Sequence, residues 1–146
     1  MSNALYTAHA TVTGGRSEGH GSSDDGKLDV QLRLPKELDP SSDAAGTNPE
    51  QLFAVGFAAC FEGALGVIGR REHAEVGDVS IDSSVSLLPT QGGGFKLEVT
   101  LDVTLPQVTD AEQAKSLVAA AHEVCPYSNA TRGNIDVSLT ANGQPV

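Results

Sequence analysis

Residues 47–72 read TNPEQLFAVGFAACFEGALGVIGRRE, and this stretch decides the fold. Its first part, Asn48-Pro49-Glu50, suits the start of a helix. Asparagine can cap, proline at the first helical position has no useful N–H to lose, and the helix dipole favours an acid there. The basic pair Arg70-Arg71 suits the opposite end, where the dipole favours cations. The stretch therefore predicts a helix from Pro49 to about Glu72.

The middle of this helix is apolar on every side. Between Leu52 and Gly69 the only charged residue is Glu62, so the segment reaches the lower limit for a membrane span. The segment also holds four glycines, and the strand patterns elsewhere need a core element to pack against. We therefore expect a buried helix of a soluble protein, with no membrane contact. Because one small domain cannot easily surround such a helix, we also expect a homodimer.

The composition fits one ordinary domain over residues 1–146, with 39% hydrophobic residues and a formal net charge of −10. Lysine and arginine form no cluster, which argues against nucleic acid and anionic membranes as partners. Residues Met1–Ala10 lack the basic segment and apolar run of a signal peptide, so the expected location is the cytoplasm.

Two segments before the helix alternate between apolar and polar residues, which is the period of a half-buried strand. These segments are Leu5–Thr13 and Lys27–Leu34. The glycine-rich residues 14–26 between them predict a mobile connector, and Pro35–Thr47 predicts a second linker.

After the helix, Val79–Leu88 and Phe95–Leu105 predict a hairpin. A capping box at Thr109–Glu112 predicts a second helix, which ends at about residue 124 or 125 because proline follows. Ile135–Leu139 predicts a last strand. The order predicts an α+β fold, with antiparallel sheets, a long apolar central helix and a second helix.

The two cysteines allow either redox chemistry or ordinary burial. Cys60 lies among apolar helical neighbours, where a free thiol is inert unless a cation comes from elsewhere. Cys125 lies at a helix end whose dipole does not lower its pKa, which suits a resolving thiol better than an attacking one. A zinc site needs more ligands than His122 offers, so we expect no metal. From the residues alone, Arg16 is an ordinary loop arginine and Glu50 an ordinary first-turn acid.

Larger motifs favour the redox interpretation. Four stretches, in the same order and over nearly the whole chain, resemble the organic hydroperoxide resistance (Ohr) branch of the Ohr/OsmC family. The last of them, VCPYSNATRGN, is long and specific. The stretches are Tyr6–Arg16, Gly46–Ala54, Ala58–Leu65 and Val124–Asn134.

The resemblance implies an intertwined α+β homodimer, a single Ohr/OsmC-like domain, that reduces organic hydroperoxides with cysteine. It makes Cys60 the attacking thiolate and Cys125 the resolving partner. It also makes Arg16 the activating cation and Glu50 the acid that orients it, through a bidentate pair. No cofactor is implied, because a dithiol such as dihydrolipoamide or a lipoylated protein recycles the disulfide.

Phe53, Phe57 and Tyr127 are expected to line an apolar channel that favours alkyl or lipid hydroperoxides. Three other interpretations stay open. One is a peroxidase of the OsmC branch with a different physiological trigger. Another is a non-enzymatic carrier of apolar ligands, and the third is an inert fold with a structural disulfide.

The spacing of two site residues predicts a shared active site. Glu50 and Cys60 are ten residues apart, which is about 15 Å along a straight helix and about 80° around it. A straight helix therefore does not bring its own Glu50 beside its own Cys60. Two antiparallel copies that cross near Gly56 would do so, whereas a kink, or Arg16 reaching between the two residues, is the competing explanation.

Overall fold

A computed structural model describes residues 3–146. Met1 and Ser2 lie outside the described residues. They belong to the segment Met1–Ala10, from which we expected no signal peptide. The chain divides into two compact units, Met1–Leu52 and Phe53–Val146.

The first unit is built on a three-stranded antiparallel sheet with a helical turn inside it. The sheet order is β1-β2-β3, and Val12, Gly21 and Val30 are neighbours across the three strands. The predicted strand at Leu5–Thr13 is wrong at its start, since pairing begins only at residue 10. The elements are β1 (Ala10–Thr13), α1 (Gly15–Glu18), β2 (His20–Ser23) and β3 (Asp29–Gln31).

The interpretation of residues 14–26 as a mobile connector is also wrong, because they form α1 and β2. Gly14 and Gly15 adopt left-handed backbone angles, with φ of 78° and 74°, which glycine reaches without a steric penalty. A side chain at Gly19 would collide with the carbonyl oxygens of Gly15 and Thr13. The glycines that make the segment look irregular are therefore the residues that permit its tight turn.

The predicted linker between β3 and the long helix runs back beside β3. The backbone N–H of Thr47 donates to the carbonyl of Gln31 at 2.9 Å, and the N–H of Arg33 donates to the carbonyl of Thr47 at 3.0 Å. These bonds fix the start of the next helix against the first sheet, within the first unit.

The long helix α2 runs from Pro49 to Glu72, as predicted. Its cap is confirmed, because the side-chain oxygen of Asn48 accepts from the backbone N–H of Gln51 at 2.8 Å. By length and composition α2 could cross a membrane, but the core helix of a soluble protein passes the same test. One side of it is buried, with Phe57 and its neighbours one and two turns on in the core.

The second unit contains a four-stranded sheet of order β4-β5-β6-β7 and two further helices. The predicted hairpin is confirmed as an antiparallel β4–β5 pair, whereas β5 and β6 pair in parallel. The parallel pair follows from the two helices that connect these strands. The bounds are β4 (Ser80–Pro89), β5 (Phe95–Thr104), α3 (Ala111–Val124), α4 (Pro126–Thr131), β6 (Val137–Ala141) and β7 (Gln144–Pro145).

The core of this unit lies where α2 and α3 meet the inner face of β5. Val99, Leu101 and Val103 alternate along β5 and are all buried, which is the strand period that the sequence predicted. Leu117 and Phe61 belong to the same buried cluster, from α3 and α2. The fold is therefore α+β, with most of its buried apolar surface in the second unit.

Two details of the second helix differ from the prediction. The cap of α3 is Asp110 rather than Thr109, because the Asp110 carboxylate accepts from the N–H of Gln113 at 2.7 Å. Pro126 ends α3 but also begins α4, since proline is favoured at the first position of a helix. Cys125 therefore lies between two helices instead of simply at the end of one.

Candidate functional site

Arg16 and Glu50 form an ion pair within the first unit. Nη2 of Arg16 lies 2.8 Å from Oε2 of Glu50, in a single contact rather than the bidentate pair that was expected. The Glu50 side chain is 17% exposed and the Arg16 side chain 40%. Nε of Arg16 is buried and has no hydrogen-bond partner among the described residues. The pair therefore holds one side of the guanidinium and leaves donors for another group.

An apolar cavity of about 340 Å³ adjoins Arg16 in the same unit. Its floor is the row Val12, Gly21 and Val30, where the absent side chain of Gly21 leaves room between two valines. This cavity was not predicted from the sequence, although the alternation of Val30 with Leu32 was its signal. The other lining residues are Ala10, Gly15, Ser22, Leu28, Leu32, Pro49 and Leu52.

The second unit brings the two cysteines together. Both are free thiols, with Cys125 fully buried and Cys60 half-buried. Burial raises the pKa of the Cys60 thiol, the backbone N–H of Tyr127 acts in the opposite direction, and the Cys125 side chain raises it further. Two neighbouring thiols of this kind can interconvert with a disulfide if one of them is first oxidised.

The backbone around Cys125 is fixed on both sides. Its N–H donates to the carbonyl of Ala121 at the end of α3, and its own carbonyl accepts from the N–H of Asn129 in α4, both at 2.9 Å. A side-chain bond also joins the two helices that meet at Cys125, since Nδ1 of His122 lies 2.8 Å from the hydroxyl oxygen of Ser128. From the sequence, His122 was considered only as a metal ligand, and Ser128 was missed.

The surroundings of His122 favour its neutral form. Burial lowers its pKa, and the nearby Arg132 guanidinium lowers it further, against a smaller opposite effect of Glu123. Nη2 of Arg132 also donates to the carbonyl of His122 at 2.6 Å. The His122 ring packs near Phe61, with ring centroids 6.5 Å apart.

The three predicted channel residues form one aromatic cluster. The ring centroids of Phe53, Phe57 and Tyr127 are 5.7 to 5.9 Å apart. Phe57 is fully buried, whereas Phe53 and Tyr127 line a cavity of about 530 Å³ together with Phe95 and Ile135. Of the three residues expected to line a channel, Phe53 and Tyr127 therefore line a cavity, whereas Phe57 lies in the core.

The space beside Gly56, where a second copy of α2 was predicted to approach, contains a side chain of the same chain. A carbon atom added to Gly56 would lie 3.0 Å from the hydroxyl oxygen of Tyr127 and 3.3 Å from its ring. Tyr127 of the same chain therefore fills the space that the missing side chain leaves. On another side of α2, the Val55 side chain is 71% exposed.

Metal ligands are not grouped in residues 3–146, where no set of three or more histidine, cysteine or acidic side chains could hold an ion. The predicted site residues fall into two groups, one in each unit. Arg16 and Glu50 are paired in the first unit, and Cys60 and Cys125 are adjacent in the second.

Comparison with known proteins places the chain in a family. The family model of OsmC-like proteins matches residues 41–140. The chain is 53% identical to an organic hydroperoxide resistance protein of Xanthomonas axonopodis pv. citri, over 93% of this chain and 94% of the relative. It is 50% identical to the Bacillus subtilis protein OhrB, over 93% and 97%.

Solved structures agree. An organic hydroperoxide resistance protein of Legionella pneumophila superposes with a TM-score of 0.87 at 48% identity, over 94% of this chain and 97% of that one. The crystal structure of Bacillus subtilis OhrB gives 0.84 at 50% identity, over 93% and 98%. With the Ohr/OsmC fold and this degree of identity, the chain belongs to the OsmC family and, within it, to the organic hydroperoxide resistance proteins.

Proposed function

We propose that this protein is a thiol-dependent peroxidase that detoxifies organic hydroperoxides. The observation that carries the proposal is the pair of free, adjacent thiols, Cys60 and Cys125, one half-buried and one fully buried. The names of its relatives support the substrate class. A carrier of apolar ligands has no need of two interacting thiols.

The cycle has three steps. The Cys60 thiolate attacks the distal peroxide oxygen, so that the O–O bond breaks, the alkoxide leaves as an alcohol after taking a proton, and Cys60 becomes a sulfenic acid. The Cys125 thiol then displaces the sulfenic hydroxyl, giving a Cys60–Cys125 disulfide and one water. An external dithiol reduces this disulfide by exchange and is itself oxidised to a disulfide. Dihydrolipoamide or a lipoylated protein is the proposed dithiol.

Arg16 is proposed to supply the charge that the first step needs. Burial raises the pKa of Cys60, so a permanent cation is required to populate the thiolate at neutral pH. A planar guanidinium suits this role, and Glu50 fixes that of Arg16 by one nitrogen. Its other donors would then stabilise the thiolate and the peroxide oxygens.

The apolar cavity beside Arg16 supports an organic substrate over hydrogen peroxide. Its lining is almost entirely aliphatic, and among the described residues that form it Arg16 alone is charged. An alkyl group would fill it while the peroxide oxygens meet the guanidinium. The exposed wall formed by Phe53 and Tyr127 in the second unit would add apolar contact.

A homodimer is proposed from the uncovered side of α2. Val55 is highly exposed and apolar, and it lies midway in the sequence between Glu50 and Cys60. Two antiparallel copies of α2 whose midpoints meet near residues 55 and 56 would bring Glu50 of each chain level, along the helix axis, with Cys60 of the other. A redox-active pair of cysteines suits a reducing compartment, and we propose the cytoplasm.

Steady-state turnover of cumene hydroperoxide tests the function. We expect turnover with dihydrolipoamide and much slower turnover with thioredoxin or glutathione. Hydrogen peroxide at the same concentration is the matched substrate, and it should react more slowly. Absence of turnover with every reductant, while both thiols stay titratable, would favour the carrier.

A further inference from the structure

Cys125 lies at the corner where α3 meets α4. Side chains that the proposed chemistry does not use hold these two helices together there. His122 in the last turn of α3 and Ser128 in the first turn of α4 lie 2.8 Å apart, so their bond spans Cys125. Ser128 is fully buried, so water does not readily replace this bond. Arg132 adds a second brace from the far end of α4, through its 2.6 Å bond to the His122 carbonyl.

These contacts limit where the Cα of Cys125, which carries the sulfur, can lie. A disulfide requires a sulfur–sulfur distance of about 2.05 Å and Cα atoms about 4.4 to 6.8 Å apart. Cys125 has its backbone N–H and carbonyl bonded to different helices, so the position of its Cα depends on the angle between α3 and α4. The bond between His122 and Ser128 joins these two helices directly.

We propose that His122, through Ser128, is a positioning residue that holds Cys125 in place to form the disulfide with Cys60. This inference rests on the proposed function, in which Cys125 resolves the Cys60 sulfenic acid. It adds that the two-helix corner is ordered before oxidation. The reduced protein then loses little further freedom when the disulfide forms, and this raises the effective concentration of one thiol near the other.

The brace also decides between two fates of the sulfenic acid. Condensation with Cys125 releases water and gives the disulfide. Reaction with a second hydroperoxide transfers another oxygen to Cys60, releases a second alcohol and gives an irreversible sulfinic acid. A looser corner slows the first reaction and leaves the second unchanged.

Four variants separate positioning from general packing. His122→Phe keeps the ring beside Phe61 and removes the bond, whereas His122→Asn keeps a polar atom at the δ position and loses the ring. Ser128→Ala removes the other partner of the bond. Thr131→Val is the matched control, because it deletes a buried hydroxyl of α4 whose bonds, to the carbonyls of Tyr127 and Ser128, stay within α4.

The first measurement is the equilibrium of the disulfide in a dithiothreitol redox buffer, which needs no peroxidase activity. We expect the disulfide equilibrium constant to fall about threefold to tenfold in His122→Phe and Ser128→Ala, the loss expected of one hydrogen bond. His122→Asn and Thr131→Val should stay near wild type. Combining His122→Phe with Ser128→Ala should give no further loss, since both remove the same bond.

The second measurement is the cumene hydroperoxide concentration at which half of the protein carries a sulfinic acid, read from its mass. It should be about threefold to tenfold lower in His122→Phe and Ser128→Ala. Wild-type equilibrium constants in both variants would overturn the inference, as would an equal loss in Thr131→Val. A wild-type protein that forms the disulfide in buffer but does not react with peroxide would overturn the proposed function and leave the positioning result standing.

Discussion

At the residue scale, the central problem is a thiol that burial makes less acidic. Its own neighbourhood in the second unit raises the pKa of Cys60, and one backbone N–H, that of Tyr127, opposes this. The sequence showed a cysteine in an apolar helix and therefore the need for a cation. It did not show which cation, because Arg16 lies in a glycine-rich segment without periodicity. The family resemblance is what proposes Arg16 for that role.

Replacing Arg16 tests its proposed role. Arg16→Ala should raise the Cys60 pKa, so that the rate of peroxide consumption at pH 7 falls at least tenfold, about 1.4 kcal/mol. Arg16→Lys should rescue only poorly, because an ammonium lacks the planar fork. Thiolate absorbance at 240 nm followed against pH gives the pKa directly. An unchanged titration curve and an unchanged rate would remove Arg16 from the site.

The lowered pKa of His122 makes the stability of the protein depend on pH. Its pKa is lowered from 6.5 in the folded protein, so the unfolded chain binds this proton more readily. Its contribution is therefore complete above about pH 6.5 and is lost as the pH falls towards the folded value. Urea unfolding at about pH 7.5 and pH 5 should show a smaller loss in His122→Asn than in wild type. Equal losses would show that His122 titrates alike in both states.

At the element scale, the helices and strands that could be predicted are those whose bounds are set by residues near them in the sequence. The bounds of α2 could be read from Asn48, Pro49 and the terminal arginines, because caps and dipoles act within one turn. The helical turn and the strand inside residues 14–26 could not be predicted from the sequence, because they depend on left-handed glycines and on pairing with β1 and β3. The parallel β5–β6 pair likewise depends on contacts far apart in sequence.

The contact between α2 and Tyr127 gives a test of packing. Gly56→Ala places a carbon 3.0 Å from the Tyr127 hydroxyl, which is tighter than ordinary contact and offsets the helix preference for alanine. We expect it to destabilise by about 1 kcal/mol. Tyr127→Phe in the same chain should restore most of this loss. Gly66→Ala is the matched control, since its carbon meets only the Arg70 guanidinium, at 3.6 Å.

Those stabilities are read from urea unfolding. Because the carbon at Gly66 meets no tight contact, the control should stabilise the protein by about 0.5 to 1 kcal/mol. If Gly56→Ala is as stable as Gly66→Ala, Tyr127 does not pack on Gly56 in solution.

At the scale of the whole molecule, the proposed site residues are divided between two units of the chain. The cation and its acid lie in one, and the two thiols lie in the other. Because α2 is one uninterrupted helix, Glu50 and Cys60 of the same chain are separated along it, as the sequence predicted. A dimer that shares its sites is the arrangement we propose.

Mixing two inactive variants tests the shared site. Cys60→Ser and Glu50→Ala subunits, exchanged to a statistical mixture, give half mixed dimers that each hold one intact site. Activity should return to about a quarter of the wild-type value per total site. If none returns after subunit exchange has been verified, each chain completes its own site.

The most direct measurement is a single turnover of the reduced protein with one equivalent of cumene hydroperoxide. Titration of thiols and the protein mass should show both thiols lost and a Cys60–Cys125 disulfide gained, and analysis of the small-molecule product should show one equivalent of alcohol. Cys125→Ser should consume one equivalent and stop at a trappable sulfenic acid, and Cys60→Ser should consume none. Full consumption by Cys60→Ser, or a wild-type protein that keeps both thiols, would contradict the account.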